Sequence, residues 1–261
     1  MTVDLTNMTG FINGDPWNQQ FHHPNSTIVG TVVSLYEVGG FLGGLLSSMI
    51  CDNFGRRQCI GFGAIFLIVG AILQATSFEL GQLMFARIVS GIGVGLQQSA
   101  IPILQSEVTP ANRRGLYACA YLTMLNFGIV LAYWIDYGVG FTTNSFAWRF
   151  PTAFQLVFVI AVFALSFVVV ESPRFLVLNN REEDACDVVS CMLDKGRDDP
   201  HVIELLNQIK SAVLVEMTEG SGTWMDFIKD DNLQSRRRLW SACLVQMFQQ
   251  GKSNQHGFFM A

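Results

Sequence analysis

Five apolar stretches, each long enough to cross a membrane as a helix, leave this sequence little choice of fold. They cover residues 27–50, 59–78, 83–104, 115–137 and 147–170, 20 to 24 residues apiece. About 20 apolar residues rising 1.5 Å each cross ~30 Å of hydrocarbon. A soluble domain of 261 residues has no core that needs five such runs. Composition agrees, with 50% hydrophobic and only 14% charged residues, well away from the usual soluble balance. The expectation is an all-α membrane protein with five transmembrane helices in residues 27–178.

The basic residues set its orientation. Arg56 and Arg57 follow the first stretch, Arg113 and Arg114 the third, and Arg174 and Arg181 the fifth, whereas the connections 79–82 and 138–146 carry neither Lys nor Arg. Positive charge is retained on the cytoplasmic side, so loops 51–58, 105–114 and 171–238 are expected there. Residues 1–26 are polar, with Gly10, Gly14, Pro16 and Pro24, and read as an extracellular loop carrying sequons at Asn7 and Asn25. No basic start leads into a short apolar run, so no cleavable signal peptide is expected.

Residues 179–238 turn charged and read as a cytoplasmic helical linker. Ala185, Val188, Val189, Met192 and Leu193 fall on one helical face, and a second helix can begin at Asp199-Pro200 and bury Val202, Leu206, Ile209 and Val213. Residues 239–261 begin another apolar helix that breaks at Gly251-Lys252-Ser253, too short to span. Gly-Lys-Ser can be encoded by bases containing the intron donor GTAAGT, so a gene-model artefact is expected there. The six cysteines show no CxxC or Cys/His spacing and are expected to be free thiols. No metal-ligand cluster, nucleophile elbow or nucleic-acid patch is visible, and no cofactor is implied. Gly91-Ile-Gly-Val-Gly is not a dinucleotide fingerprint, and the Gly-Lys-Ser lacks the first glycine of a phosphate loop. The expectation is not an enzyme.

The third stretch is the most informative. Arg87 sits in it, followed by Gly91, Gly93 and Gly95. The glycines clear one side for close approach of a neighbouring backbone, and an intramembrane arginine needs a partner inside the bundle. Gly39-x3-Gly43 and Gly40-x3-Gly44 in the first stretch are matching packing motifs. Glu37 is the second intramembrane ionisable residue, either a proton site, a partner for Arg87, or a packed glutamate.

Taken in order, several motifs carry a family resemblance. They are Asp52-Asn53-Phe54-Gly55-Arg56-Arg57; Arg87-x3-Gly91-x-Gly93-x-Gly95; Ser106-Glu107-x2-Pro110-x3-Arg114-Gly115; Trp148-Arg149-x-Pro151; Glu171-Ser172-Pro173-Arg174-Phe175-Leu176; and Gln249-Gln250. The chain resembles the sugar-transporter branch of the major facilitator superfamily, particularly fungal hexose and polyol transporters. Asn53 stands where a basic residue is usual and Phe175 where tryptophan is usual. The resemblance makes the five stretches the family's second to sixth helices, part of its N-terminal bundle, and residues 239–250 the start of its seventh.

That resemblance implies transport of a hexose, pentose or polyol across the plasma membrane, coupled to protons, by two half-bundles rocking around a midplane site. It makes Arg87 a proton-coupling candidate, since an arginine holds a nearby carboxylate ionised until the pair separates; Glu37 joins it as the other ionisable residue within an apolar stretch, not through the resemblance. Gln246, Gln249, Gln250 and Asn126 become the sugar-binding candidates, because amides match hydroxyls that both donate and accept. Tyr133 and Trp134 read more readily as lipid-facing than as sugar-stacking. Asp52, Arg56, Arg57, Glu107, Arg114, Glu171 and Arg174 become a cytoplasmic charge network that latches one access state. Exposed pairs are worth only ~0–1 kcal/mol each, so only several together could bias such an equilibrium. Sugar, proton and lipid bilayer are the implied partners. The chain alone is expected not to transport. The rival readings are a nutrient sensor of the same fold, or a non-functional or regulatory fragment that pairs with a complementary half or a full-length transporter through the glycine-lined faces.

Overall fold

Helices follow the apolar stretches and outrun them at the basic end. The computed structural model describes residues 24–142 and 146–219, together with Trp17, Gln20, Phe21, Arg237, Trp240, Ser241, Cys243, Leu244, Val245, Met247 and Phe248. Five long helices come first: α1 (Ser26–Phe54), α2 (Arg56–Ala75), α3 (Leu80–Val108), α4 (Arg114–Val139) and α5 (Phe146–Ser166). Three shorter ones follow, α6 (Pro173–Leu178), α7 (Glu182–Leu193) and α8 (Pro200–Glu219). All six cysteines are free thiols.

The expected loop at 51–58 shrinks to one residue. Gly55 has φ of +96° and donates its N–H to the Cys51 carbonyl at 3.1 Å, closing α1 and turning the chain straight into α2. Only glycine accepts that backbone without strain. The 105–114 connection is similarly short, because α3 runs to Val108 and a 3₁₀ turn spans Ala111–Arg113. Polar composition marked these residues as loop, yet the backbone groups at a membrane edge are best satisfied by continuing the helix.

Four of the five long helices, α1, α2, α4 and α5, have both the length and the hydropathy for a crossing. α3 has the length, 29 residues, but Arg87, Ser90, Gln97, Gln98 and its glycines dilute its apolar character. Its position explains this. α1 packs against α3 on one face and α2 against it on another, so α3 need not present an apolar surface to lipid.

The glycines divide between those faces. A Cβ on Gly91 would meet the Tyr36 carbonyl, and one on Gly95 the Gly40 carbonyl, both on α1. In return, a Cβ on Gly39 would lie 2.5 Å from the Ile88 carbonyl. A Cβ on Gly93 would instead lie 2.6 Å from the Gly63 carbonyl of α2. The sequence reading put all three α3 glycines on one side. At 100° per residue, positions 91 and 95 share a face and 93 points nearly opposite, so α3 is clamped by backbones on two sides. These α3 faces are occupied within the chain.

Near the end of the bundle opposite the basic turns, Trp17, Phe21, Val32, Leu83 and Trp148 form a buried cluster. Ring centroids lie 5.1 Å apart for Trp17–Phe21 and 5.8 Å for Phe21–Trp148. Two aromatic anchors were thus hidden in a segment that reads as polar loop. Arg149 ties α5 to the α2–α3 turn, donating to the Ser77 carbonyl at 3.3 Å and stacking 4.8 Å from the Phe78 ring. That gives the Trp148-Arg149 motif a structural role. By contrast, α4 stands largely apart, and Ala132 is its one buried residue.

α6 and α7 pack through Leu176, Ala185 and Val188, with Met192 and Leu206 against them, matching the amphipathic face expected for 181–195. α8 starts where Asp199-Pro200 predicted. The Asp199 carboxylate accepts the His201 N–H at 2.9 Å, an N-terminal cap. That hydrogen bond, with Lys195 beside it, holds the Asp199 carboxyl below its ordinary range. A group with a depressed folded pKa stabilises above its unfolded value and loses that contribution as pH falls through the folded one. The first turn of α8 should therefore fray on acidification, and Asp199→Ala should abolish this pH dependence.

The chain divides into two compact units, residues 1–209 and 210–261. The second takes up the end of α8 and is helical at the described positions between Arg237 and Phe248, where Trp240, Leu244, Val245, Met247 and Phe248 are exposed.

The two-sided clamp on α3 predicts the outcome of glycine substitutions. Gly93→Ala should destabilise the chain by about 1–3 kcal/mol, as overpacking does. Gly81→Ala, with nothing within 4 Å of the added carbon, should be neutral or mildly stabilising. Thermal unfolding in detergent measures both, and equal midpoints for the two variants would contradict the packing described.

Candidate functional site

Two polar groups stand out against the apolar helices. The first lies inside the bundle. Arg87 is 1% exposed, and its guanidinium carbon lies 5.6 Å from the Tyr36 ring centroid of α1. A buried cation over an aromatic face gains more than the same contact in water, because the competing hydration is gone. One turn along α3, Ser90 accepts a 2.8 Å hydrogen bond from the Gln74 amide of α2 and donates to the Ala86 carbonyl. Gly70 makes room for Ser90, since a Cβ there would lie 2.7 Å from the Ser90 Cβ. Tyr36, Arg87, Ser90 and Gln74 thus form a polar layer drawn from three helices.

Glu37 does not join this layer. It is exposed on α1, one residue and about 100° round from Tyr36. The sequence reading also overlooked Gln74, Asp136 and Gln155. Both carboxylate oxygens of Asp136 in α4, and the amide oxygens of Gln74 and Gln155, are buried without a hydrogen-bond partner among the described residues. Each was legible as a polar residue in an apolar stretch. Asp136 is a further ionisable residue within an apolar stretch, as Arg87 and Glu37 are.

The second group lies at the basic end. Glu171, beyond α5, accepts the backbone N–H groups of Arg56 at 3.1 Å, Arg57 at 3.2 Å and Ser172 at 3.1 Å through one carboxylate oxygen. The first two are the opening N–H groups of α2, left unpaired by helix geometry and positive in the helix dipole. Glu171 therefore caps a helix from 115 residues away in sequence. Gly55 admits it, because a Cβ there would meet the Glu171 carboxylate at 2.7 Å.

Arg57 performs the converse service. Its guanidinium donates to the carbonyls of Ser166 at 2.8 Å and Phe167 at 2.6 Å, at the end of α5, where the dipole is negative. Arg56 sits 3.4 Å from the Glu107 carboxylate of α3 and 5.8 Å from the Phe175 ring. The Arg56–Glu107 contact is ionic, not hydrogen-bonded, since Arg56 Nε and Glu107 Oε2 have no hydrogen-bond partner among the described residues. Side-chain exposures of 12% and 15% put the pair well outside the solvent-screened class.

Four of the seven expected network residues, Arg56, Arg57, Glu107 and Glu171, therefore meet. Arg174 follows Pro173 in α6 and is half-buried. Asp52 is exposed on α1 and makes no ion pair among the described residues. Arg114 is exposed and donates to the Thr109 carbonyl at 3.4 Å. Much of the grouping works through backbone dipoles, which a reading of side-chain charges alone does not reveal.

Among the sugar-binding candidates, Asn126 is exposed and its amide is bonded to the Leu122 carbonyl of its own helix at 2.8 Å. Gln246, Gln249 and Gln250 lie outside the residues whose side chains are described. Tyr133 and Trp134 are 60% and 69% exposed, as a lipid-facing pair would be.

A family model described as sugar (and other) transporter matches residues 5–261. The chain belongs to the sugar transporter family. Among curated members, the MFS-type transporter oryC of Aspergillus oryzae is 38% identical over 222 residues, covering 84% of this chain and 41% of that one. Sugar transporter STL1 of Saccharomyces cerevisiae is 33% identical over 256 residues, covering 93% and 45%. The fold is similar to that of the proton:xylose symporter XylE bound to 6-bromo-6-deoxy-D-glucose, with a TM-score of 0.76 and 21% identity over 84% of this chain and 51% of that one. The chain spans less than half the length of these two curated members. Its helices form part of a major-facilitator half-bundle.

The shared cap at Glu171 makes a direct prediction for this member of the family. Glu171→Gln keeps an acceptor but removes the charge facing three N–H groups, and should cost roughly 1–2 kcal/mol. Hydrogen exchange at the first turn of α2 should accelerate correspondingly. Unchanged exchange there would show that the cap contributes nothing.

Proposed function

We propose that this chain supplies one wall of a proton-linked sugar pathway, with Arg87 as its coupling cation. The observation that carries the reading is the burial of Arg87 in α3, stacked on Tyr36 within a layer that also holds Gln74 and Ser90. A permanent charge at that depth is costly to keep and marks substrate or ion pathways by default. Guanidinium stays protonated at any physiological pH, so the titrating partner is a carboxylate that ionises when close to Arg87 and protonates when separated from it. Sugar as the substrate class is supported by the family match and by the printed names of the Saccharomyces cerevisiae member and the xylose symporter.

The basic end faces the cytoplasm on this reading, as the Arg56, Arg57, Arg113 and Arg114 bias requires, and α6 to α8 form a cytoplasmic linker. There the Glu171, Arg57 and Arg56–Glu107 contacts fasten α2, α3 and α5 into one body. Alternating access moves such a body against an opposing half, so the 261-residue polypeptide alone should show no uptake.

Two strains test this. In yeast lacking its own hexose carriers, the 261-residue chain should accumulate no labelled sugar. A chimera in which residues 27–250 replace the matching segment of the Saccharomyces cerevisiae member should accumulate sugar in a protonophore-sensitive manner. Arg87→Gln in that chimera should abolish accumulation while leaving membrane expression intact. Accumulation that persists in Arg87→Gln and resists the protonophore would refute the coupling role.

A further inference from the structure

Two of the free thiols face each other at the basic end of the bundle. Cys51 lies about one turn before the end of α1 and Cys59 about one turn into α2, on either side of Gly55. Cys51 is 5% exposed and Cys59 fully buried, in a cluster with Ile60, Leu96, Ala100 and Leu104. The Ser47 hydroxyl of α1 lies 3.5 Å from the Cys51 sulfur and 3.6 Å from the Cys59 sulfur. The two thiols are also within hydrogen-bonding reach of one another. Cys59 in addition donates to the Leu96 carbonyl of α3 at 3.9 Å.

A buried thiol in purely apolar surroundings is inert, because the reactive species is the thiolate. This pair is placed differently. The Ser47 hydroxyl can donate to either sulfur, and the Arg56 guanidinium, which donates to the Cys51 carbonyl at 3.4 Å, sets a positive charge beside Cys51. Both features favour a thiolate. Sulfurs that share one hydroxyl need little more than side-chain rotation to reach the ~2.05 Å of a disulfide. Burial excludes bulky reagents, whereas hydrogen peroxide is scarcely larger than water. On the orientation proposed above this end meets a reducing compartment, where a disulfide is a transient response to oxidant rather than a permanent staple.

We propose that Cys51 and Cys59 form a redox modification site, which hydrogen peroxide converts into a disulfide joining α1 to α2. The Cys51 thiolate attacks one peroxide oxygen. An S–O bond forms, the O–O bond breaks, and the departing hydroxide takes up the proton that Cys51 released, leaving as water. The Cys59 sulfur then attacks the sulfenic sulfur of Cys51, forming the S–S bond and breaking S–O, and the hydroxyl leaves with the Cys59 proton as a second water. Two thiols give up two electrons and two protons, and one peroxide becomes two waters. α1 and α2 pack far more against α3 than against each other, so the bond joins directly two helices otherwise held through a third. It also takes the Cys59 proton from the Leu96 carbonyl, exchanging an α2–α3 contact for a covalent α1–α2 one next to the Arg56–Glu107 pair. The site is separate from the Arg87 layer and does not depend on which substrate is carried.

Peptide mapping of the 261-residue chain in membranes tests it. N-ethylmaleimide first blocks the accessible thiols, Cys119, Cys191 and Cys243 being exposed. The membranes then receive hydrogen peroxide, are quenched in acid, and the denatured chain is digested with trypsin without reductant. Arg56 and Arg57 lie between the two cysteines, so after cleavage Cys51 and Cys59 stay in one species only if a disulfide joins them. The expected result is a linked Cys51–Cys59 peptide pair in most chains after peroxide and in few before it. Cys59→Ser should abolish the link and leave a sulfenic acid at Cys51 that dimedone captures, whereas Cys51→Ser should abolish it with no capture at Cys59. Maleimide on either cysteine before peroxide, or peroxide-treated chains in which the two stay free or reach sulfinic acid unlinked, overturns the proposal. The unaltered chain decides the matter by itself, so the test holds even where a serine variant fails to fold.

Discussion

Everything in the bundle depends on how closely α3 lets its neighbours approach. Gly91 and Gly95 bring its backbone against the α1 carbonyls of Tyr36 and Gly40, and Gly93 brings it against Gly63 of α2. Inside a bilayer no hydrophobic effect drives helix against helix, so close contact supplies the association through dispersion and backbone interactions. Enclosure on two sides then allows α3 to carry what no lipid-facing helix can. Arg87, Ser90 and the amide of Gln74 form a polar layer there, and α3 falls below the hydropathy of its neighbours for the same reason.

At the basic end, a second constraint joins distant parts of the chain. Glu171 caps α2 while Arg57 caps α5, so each segment satisfies backbone groups that the other leaves exposed. Opposite helix ends make natural partners because their partial charges are opposite. With Arg56 and Glu107 drawing in α3, three helices end in one arrangement of charges and dipoles. This explains why Gly55 is required as a glycine twice over, for its positive φ and for the space that Glu171 occupies.

The elements that follow from period and length were legible in the sequence. Each long helix coincides with an apolar stretch, the α7 face matches its predicted residues, and Asp199-Pro200 marks the start of α8. The sugar transporter family was legible too, because its motifs recur in order at fixed spacings. Less legible was anything decided by a partner distant in sequence. Nothing local announces that Gly93 faces away from Gly91, that Glu171 caps a helix 115 residues earlier, or that Trp17 and Phe21 fold onto Trp148. Asp136 was readable as a charge within an apolar stretch. Asn126 was chosen for its amide, which the structure shows bonded to its own helix.

Tryptophan scanning along α3 and α4 tests the enclosure of α3 most directly, with folded yield in membranes as the readout. Enclosure on two sides predicts loss of folded protein when tryptophan replaces Gly91 or Gly95 on one face and Ser90 or Gly93 on the other. Tolerance is predicted along α4, at positions such as Met124, Phe127 and Val130. Tolerance along either of those two α3 faces would contradict the account, since it would mean that lipid, not a neighbouring backbone, lies against that face.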